Sequence, residues 1–237
     1  MTKLNKALSL IFIAVLVVSC GKSNDSNFTL KGSIKGLKKG VVYLQKEEDN
    51  SNIINLDSMV ITGQPEFTLH TNLKEPEILY LKLFKNDGIE HYIPFFADQG
   101  VTEINTTLKN FNFDSKIKGS KQQELLDEYL KIMGQFNGKN LDVIEASFIA
   151  QQEKDSVAID SLNQIANQLI KRKYAFTIQY AMNHRDSEIA PYLALYEVRN
   201  ANPVYIDSIY NGLSPEIKNS LYGKKLGELI ANRNSEE

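Results

Sequence analysis

The chain has 237 residues, enough for one large domain or two small ones. Its 27 Lys and Arg nearly balance its 29 Asp and Glu, giving a formal net charge of −2 at pH 7. No basic stripe supports nucleic-acid binding, which requires phosphate neutralisation. A single cysteine and three histidines leave little material for thiol or metal chemistry.

Residues 1–19 have the three-part layout of a secretory signal. Lys3 and Lys6 give a basic start, and an almost unbroken apolar run follows from Ala7 to Val18. A helix of those 12 residues would be only ~18 Å long, well short of the ~30 Å hydrocarbon layer of a membrane. We therefore predict a cleaved signal and not a permanent membrane span.

The four residues 17–20, Val-Val-Ser-Cys, resemble the lipobox of bacterial lipoproteins, in which the cysteine sulfur is acylated and the signal is cut just before it. The alternative is a simple cleaved signal in which Cys20 is an ordinary residue. Acyl chains such as palmitate on Cys20 would hold the protein on a membrane, because each buried CH₂ contributes ~0.8 kcal/mol. The acylated sulfur is a thioether, so the mature chain would have no thiol for catalysis or metal binding.

Residues 20–27, the lipidated cysteine and a small polar stretch, predict a flexible tether. Between residues 28 and 119, short apolar or alternating runs are separated by Gly, Asn, Asp and Pro. Strands spaced by roughly 8 to 12 residues, with no helices between them, predict an antiparallel β-sandwich or barrel. The predicted strands are residues 28–34, 41–45, 54–61, 66–71, 77–84, 90–97, 101–107 and 114–119.

At Ser120 the apolar period changes from that of strands to that of helices. Ser120 and Gln123 predict a capping box at the start of the first helix, and Gly134 and Gly138 predict its end. The helical subdomain is predicted over residues 120–231. The fold class is therefore α+β, with a β-domain first and a helical subdomain second.

Within the helical subdomain, residues 139–183 form a long helical zone with a candidate interruption at Asp155 or Ser156. Another apolar helix is predicted to begin at Ser187. Two pairs, Asn-Pro at 202–203 and Ser-Pro at 214–215, each predict an N-cap followed by the first residue of a short helix. Residues 232–237 are predicted as a polar tail.

Several short motifs match one known domain family. They are Phe28, Leu30 and Gly32, the stretch 36–44, Leu56, Asp57 and Ser58, Phe67, Pro94 and Phe95, and Gly119 and Ser120. Together they resemble DUF4369, a domain of unknown function found at the N-terminus of lipid-anchored thioredoxin-like proteins, of the AhpC/TSA type, in Gram-negative bacteria. Residues 220–229 resemble the helix that leads into the thioredoxin module. The chain has no CxxC and stops near where that module would begin, so redox activity is not expected to carry over.

No catalytic or metal-binding constellation is predicted. His70, His91 and His184 have no partner at the two-to-five-residue spacing that zinc ligands commonly use. Ser58, His91 and Asp57 are the right chemical types for a hydrolase triad, but there is no nucleophile elbow. Asp57 and Ser58 are adjacent on a strand, where they point to opposite faces. We therefore expect Asp57 or Ser58 to satisfy backbone groups near a sheet edge or turn.

An acidic cluster, Glu47, Glu48 and Asp49, has the charge to attract a hard cation. An EF-hand-like loop needs spaced ligands and a central glycine, and both are missing from this stretch. We therefore expect a solvated hairpin tip, with no cofactor or metal.

Tyrosine is the one compositional oddity, because seven of the eleven tyrosines fall between residues 174 and 222. A tyrosine ring is large and apolar while its hydroxyl can stay in water, which suits both helix packing and partner surfaces. The candidate interface residues are Tyr192, Tyr196, Tyr205 and Tyr210.

The sequence thus predicts a non-enzymatic binding or scaffolding lipoprotein of the Gram-negative cell envelope, with a protein or saccharide partner. It leaves open whether the anchor sits in the inner or the outer membrane. The family resemblance implies an alternative, in which the chain is an accessory or substrate-recognition component for a thiol-disulfide oxidoreductase encoded separately.

The predicted anchor is tested by replacing Cys20. We expect Cys20→Ala to release the protein from the membrane fraction and to remove the acyl mass from the mature chain, because the sulfur that carries the lipid is gone. Membrane fractionation and intact-mass measurement check both. Unchanged membrane retention with an unchanged mature mass would reject the anchor.

Overall fold

A computed structural model of the chain describes residues 26–48, 52–85 and 87–236. The predicted signal, Cys20 and most of the predicted tether lie outside the described residues. Asn27 already belongs to the folded unit, because its side chain accepts a hydrogen bond from the Leu73 N–H and donates one to the Leu73 carbonyl, both at 2.8 Å. Among the described residues, no helix is both long enough and apolar enough to cross a membrane.

The first half of the chain is a β-sandwich of two four-stranded sheets and not a closed barrel. The sheets have the strand orders β4-β1-β7-β8 and β3-β2-β5-β6. All eight predicted strands are present, with small shifts at their ends. Their bounds are β1 (Phe28–Lys35), β2 (Lys39–Glu47), β3 (Ile53–Thr62), β4 (Glu66–Thr71), β5 (Glu77–Phe84), β6 (His91–Ala97), β7 (Gly100–Thr107) and β8 (Lys116–Lys118).

Antiparallel pairing, as predicted, holds for every pair of the described strands except one. β1 and β7 run parallel, with Phe28 opposite Gly100 and Lys35 opposite Thr107. A parallel pair needs a long crossover, and here the crossover consists of the entire second sheet and β4. The sequence pattern did not predict this pair, because the alternation of side chains is the same in both orientations.

The sandwich core follows from the alternation of side chains along each strand. Inward-facing residues are almost fully buried, and each large aliphatic side chain removed from water contributes about 1.5–3 kcal/mol. In β5, Leu79, Leu81 and Leu83 face the core, while Ile78, Tyr80 and Lys82 between them point outward. The outward face of β3-β2-β5-β6 is therefore available to contact other parts of the molecule.

The second half of the chain consists of helices. The interruption predicted at Asp155 or Ser156 is present and separates the two longest helices. Asp155 is the N-cap of the second one, because its Oδ1 accepts hydrogen bonds from the N–H groups of Val157 and Ala158. Asn202 and Ser214 are N-caps of the helices that follow them, as predicted. The bounds are α1 (Lys121–Glu153), α2 (Ser156–Asn183), α3 (Ile189–Tyr196), α4 (Pro203–Gly212), α5 (Pro215–Lys218) and α6 (Leu221–Glu236).

The predicted end of the first helix at Gly134 and Gly138 is wrong. α1 runs without a break through both glycines, is 33 residues long in total, and packs along α2. A glycine inside a helix costs only about 1 kcal/mol relative to alanine, and the packing of the two long helices outweighs that cost. At the other end, α6 runs to Glu236, so most of the predicted polar tail is helical.

Only half of the predicted capping box is present. The Ser120 hydroxyl accepts a hydrogen bond from the Gln123 N–H at 3.2 Å, as the motif requires. The Gln123 side chain does not turn back to Ser120. Its Oε1 accepts from the Phe96 N–H at 2.7 Å and its Nε2 donates to Asp127 at 2.7 Å. This buried amide joins the start of α1 to the edge strand β6.

Helices α1, α3 and α6 cover one end of the outward face of β3-β2-β5-β6. The aromatic ring of Phe96 points out of the sandwich, yet it is fully buried. It makes edge contacts with the rings of Tyr192 and Tyr222 at 5.4 and 5.7 Å between centroids. The Tyr222 hydroxyl accepts a hydrogen bond from the Ile78 N–H at 2.9 Å. The helical half is therefore packed directly on β5 and β6.

Two glycines give a matched test of this fold. A Cβ at Gly32 would lie 1.8 Å from the Ile104 carbonyl oxygen, whereas a Cβ at Gly134 meets nothing within 4 Å. We expect Gly32→Ala to lower the free energy of unfolding by about 3 kcal/mol or more, because β1 and β7 must separate. We expect Gly134→Ala to raise it by about 0.5–1 kcal/mol.

Urea denaturation of the two variants and the wild-type protein measures both changes. A Gly32→Ala variant as stable as the wild-type protein would contradict the parallel contact between β1 and β7. A destabilised Gly134→Ala variant would contradict the uninterrupted α1.

Candidate functional site

A cleft of about 760 Å³ lies where helices α3 and α6 meet the outward face of β3-β2-β5-β6. Strands β2 and β5 form one side, and the two helices form the other. Its volume is in the range of ligand pockets in proteins. The lining residues are Lys46, Glu47, Glu48, Glu77, Ile78, Tyr80, Tyr192, Tyr196, Leu221, Tyr222 and Lys225.

Four tyrosines dominate the walls of the cleft. Tyr80 points outward from β5, Tyr192 and Tyr196 come from α3, and Tyr222 comes from the first turn of α6. The ring centroids of Tyr192 and Tyr196 are 4.9 Å apart, and Tyr222 makes edge contacts with both rings at 5.4 and 6.3 Å. α3 is one of the most apolar parts of the chain, and its other side packs in the helical core. These contacts fix the rings before any ligand is present.

The degree of burial changes across these rings. Tyr222 is 4% exposed, whereas Tyr196 is 58% exposed. Burial raises the pKa of Tyr192 to about 12 and also raises the pKa of Tyr222. Burial, followed by the nearby carboxylate of Glu47, raises the pKa of Tyr80 as well. These three phenols are therefore neutral at physiological pH and keep their hydroxyl protons.

Charges of both signs surround the tyrosines. Lys46 Nζ lies 2.6 Å from Glu77 Oε2 in an ion pair whose carboxylate is largely buried. The Tyr80 hydroxyl donates to Glu47 Oε2 at 3.4 Å. Glu48 and Lys225 complete the rim. The cleft thus combines aromatic faces with both hydrogen-bond donors and acceptors.

The predicted interface tyrosines divide into two groups. Tyr192 and Tyr196 line the cleft. Tyr205 is 51% exposed on α4, outside the cleft lining, and Tyr210 packs in the core of the helical half, with Lys218 Nζ 5.5 Å above its ring. Tyr80 was not predicted, because an outward tyrosine on a strand has no sequence signal that links it to a distant helix.

Two members of the predicted acidic cluster line this cleft. Glu47 and Glu48, predicted as part of a solvated hairpin tip, are cleft residues, and Asp49 lies outside the described residues. Within the described ranges, no group of three or more His, Cys, Asp or Glu side chains is arranged to hold a metal ion.

The residues considered for a triad are not brought together. Ser58 is on β3 and His91 is on β6, at opposite edges of one sheet with two strands between them, a separation of about 14 Å. Asp57 accepts hydrogen bonds from the N–H groups of His70 at 2.7 Å and of Ser58 at 2.8 Å. The prediction that Asp57 satisfies backbone groups at a sheet edge is therefore confirmed.

The three histidines lie in different environments. His70 Nδ1 is 3.1 Å from the Thr29 hydroxyl, and the His91 ring packs beside Phe111. His184 ends α2, where its Nδ1 is 2.8 Å from the Tyr180 carbonyl oxygen. Each of the three imidazole rings thus contacts different residues, and the three do not form a common site.

Glu188 is a buried carboxyl group that the sequence analysis missed. It immediately precedes α3, is 4% exposed, and accepts a hydrogen bond from the Ser220 hydroxyl at 2.8 Å. Burial is the main cause that raises its pKa from 4.5 to about 7, and the carboxylates of Glu75, Glu216 and Asp98 add to the rise. It is not a cleft residue. The one sequence signal for its burial is that a carboxylate directly precedes an apolar helix.

Comparison with known proteins gives one match. The family model of a domain of unknown function, DUF4369, matches residues 28–126. No curated protein and no solved structure matches the chain. The match covers the whole sandwich and the first turns of α1, so it includes the strand side of the cleft. Helices α3 and α6, which form the other side, lie beyond it.

Glu188 predicts a dependence of stability on pH. Between pH 7 and about 4.5 the folded state binds a proton that the unfolded state does not, so Glu188 raises the free energy of unfolding as the pH falls. Relative to Glu188→Gln, which keeps an acceptor for Ser220, we expect the wild-type protein to gain up to about 3 kcal/mol between pH 8 and pH 5.

Urea denaturation of both proteins near pH 8 and near pH 5 measures this difference. Titration of the other groups cancels in the comparison, because both proteins contain them. A difference in stability that does not change with pH would contradict the raised pKa of Glu188.

Proposed function

We propose that this chain, whose residues 28–126 are a DUF4369 domain, is a non-enzymatic, lipid-anchored binding protein of the bacterial cell envelope. The tyrosine-lined cleft is its binding site. The lipobox-like residues 17–20 support the anchor. The combination of fixed aromatic rings and charged groups in an open cleft supports binding.

The observation that carries the proposal is the exposure of Tyr196 within a rigid cluster. The residue is 58% exposed, yet its ring packs against that of Tyr192, which itself packs on Phe96. A ligand that covers this ring gains apolar burial without having to order a mobile side chain, and ordering costs are a main loss in binding. A large ring held in this way is a favourable binding surface.

The tether supports a role close to a membrane. The segment from Cys20 to Ser26 can span at most about 25 Å, even when fully extended. A lipid on Cys20 would therefore keep the sandwich within a few nanometres of the bilayer. This arrangement suits capture of a ligand in the envelope.

Photo-cross-linking in cells tests the binding site. A photoreactive benzoylphenylalanine is placed at Tyr196 and, as the matched control, at Tyr205, which is 51% exposed on α4 but does not line the cleft. We expect a discrete adduct from position 196 and none from position 205, because only the first position faces the bound ligand. Gel shift and mass spectrometry of the purified protein detect the adduct, whatever its chemical class.

Equal labelling at the two positions would show general surface contact and would contradict the cleft. Absence of any adduct at position 196, with the protein correctly localised, would do the same.

A further inference from the structure

The composition of the cleft limits what it can bind. Of the eleven lining residues, five are charged, four are tyrosines, and only Ile78 and Leu221 are aliphatic. A groove for an amphipathic helix is lined mainly by apolar side chains, so this cleft does not fit one. The cleft therefore combines charged, solvated side chains with aromatic rings.

The charges of the cleft suit a ligand without net charge. Lys46 and Lys225 oppose Glu47, Glu48 and Glu77, and the most buried carboxylate, Glu77, is already paired with Lys46 at 2.6 Å. An anionic ligand would meet three carboxylates, and a strongly cationic one would meet two lysines. A neutral ligand with many hydroxyl groups can donate to the carboxylates and accept from the phenols at once.

The outward face of the sheet extends the aromatic surface beyond the cleft. Lys82 lies two residues after Tyr80 on β5, opposite Tyr43 on β2 and Tyr92 on β6. These side chains project from the same face as Tyr80, because the inward positions between them belong to the sandwich core. Two residues along a strand span about 7 Å. Tyr43 and Tyr92 therefore flank Lys82 just beyond Tyr80, so the tyrosine-bearing surface continues out of the cleft across three strands.

An extended peptide fits this sheet surface poorly. On the face of a sheet the backbone groups are already used between neighbouring strands, here between β2, β5 and β6. A peptide lying there would find no backbone partners for its own amides, and desolvated amides without partners are costly. Sugar rings have no such amide ladder. Their C–H faces are apolar and stack on aromatic rings, while their hydroxyls point to the sides.

We propose that the cleft and the adjoining surface formed by Tyr80, Tyr43 and Tyr92 bind a linear, neutral oligosaccharide. This inference rests on the proposed function, because it assigns a ligand class to the same site. Tyr196 and Tyr80 stack on the sugar faces, and the carboxylates of Glu47 and Glu48 accept hydrogen bonds from hydroxyls.

Calorimetric titration of the detergent-solubilised full-length protein tests the ligand class. The probes are cellohexaose, mannohexaose, xylohexaose and maltohexaose, each a linear neutral chain. We expect at least one to bind, with an affinity that does not change between about 0.05 and about 0.5 M NaCl, since no charge is neutralised. Tyr196→Ala and Tyr80→Ala should each weaken binding about ten-fold, while Tyr205→Ala, outside the cleft, should leave it unchanged.

A Tyr80→Phe variant keeps the proposal testable if Tyr80→Ala does not fold, because it retains the ring and should retain most of the affinity. Failure of all four sugars to bind would overturn the assignment, as would unchanged affinity in Tyr196→Ala or a strong loss of affinity with salt. An adduct at position 196 in cells, found together with a failed titration, means that the ligand class alone is wrong. If neither an adduct at position 196 nor binding of any of the four sugars is found, the assignment of the cleft as a binding site is itself wrong.

Discussion

The arrangement of the whole molecule depends on how two neighbouring backbone N–H groups are satisfied. Ile78 and Phe96 lie opposite each other in β5 and β6, and each donates its N–H to a side chain of the helical half, Tyr222 and Gln123 respectively. A buried N–H without a partner costs about 1–3 kcal/mol. The fully buried ring of Phe96 on the same outward face would also return to water if the helices were removed. The sandwich and the helices are therefore joined by a buried interface that has polar as well as apolar contacts.

This docking also creates the cleft. The Tyr222 hydroxyl that accepts from β5 places its ring against Tyr192, and Tyr192 supports the exposed ring of Tyr196. The two polar links differ in their relation to the matched family segment. Gln123 lies inside residues 28–126, whereas Tyr222 lies far beyond them. The segment that matches the DUF4369 model thus includes a contact between β6 and the first helix, and the later helices form the second side of the cleft.

Much of the fold follows from local sequence signals. Alternation and turn residues predicted all eight strands. The predicted N-caps Asn202 and Ser214 and the predicted interruption at Asp155 all mark real helix starts, because each depends on neighbours in sequence. The errors arise where distant contacts decide. The parallel pairing of β1 with β7 depends on the path of the chain between them. Gly134 continues a helix because α2 packs beside it. The site joins Tyr80 on a strand to Tyr196 on a helix, so the tyrosine-rich composition indicated only its helical half.

Under the proposed function, the clustered tyrosines would serve packing and ligand contact together. Burial decreases from Tyr222 to Tyr196 within a few ångströms, so the inner rings provide rigidity and the outer ring provides surface. An exposed ring on a flexible loop would lose much of its binding free energy to ordering. Tyr196 avoids this loss because it extends from a short helix whose opposite side is fully buried. Tyr196 packs against Tyr192 and Tyr222 and still leaves more than half of its surface exposed, and that exposed surface is what the proposed ligand would cover.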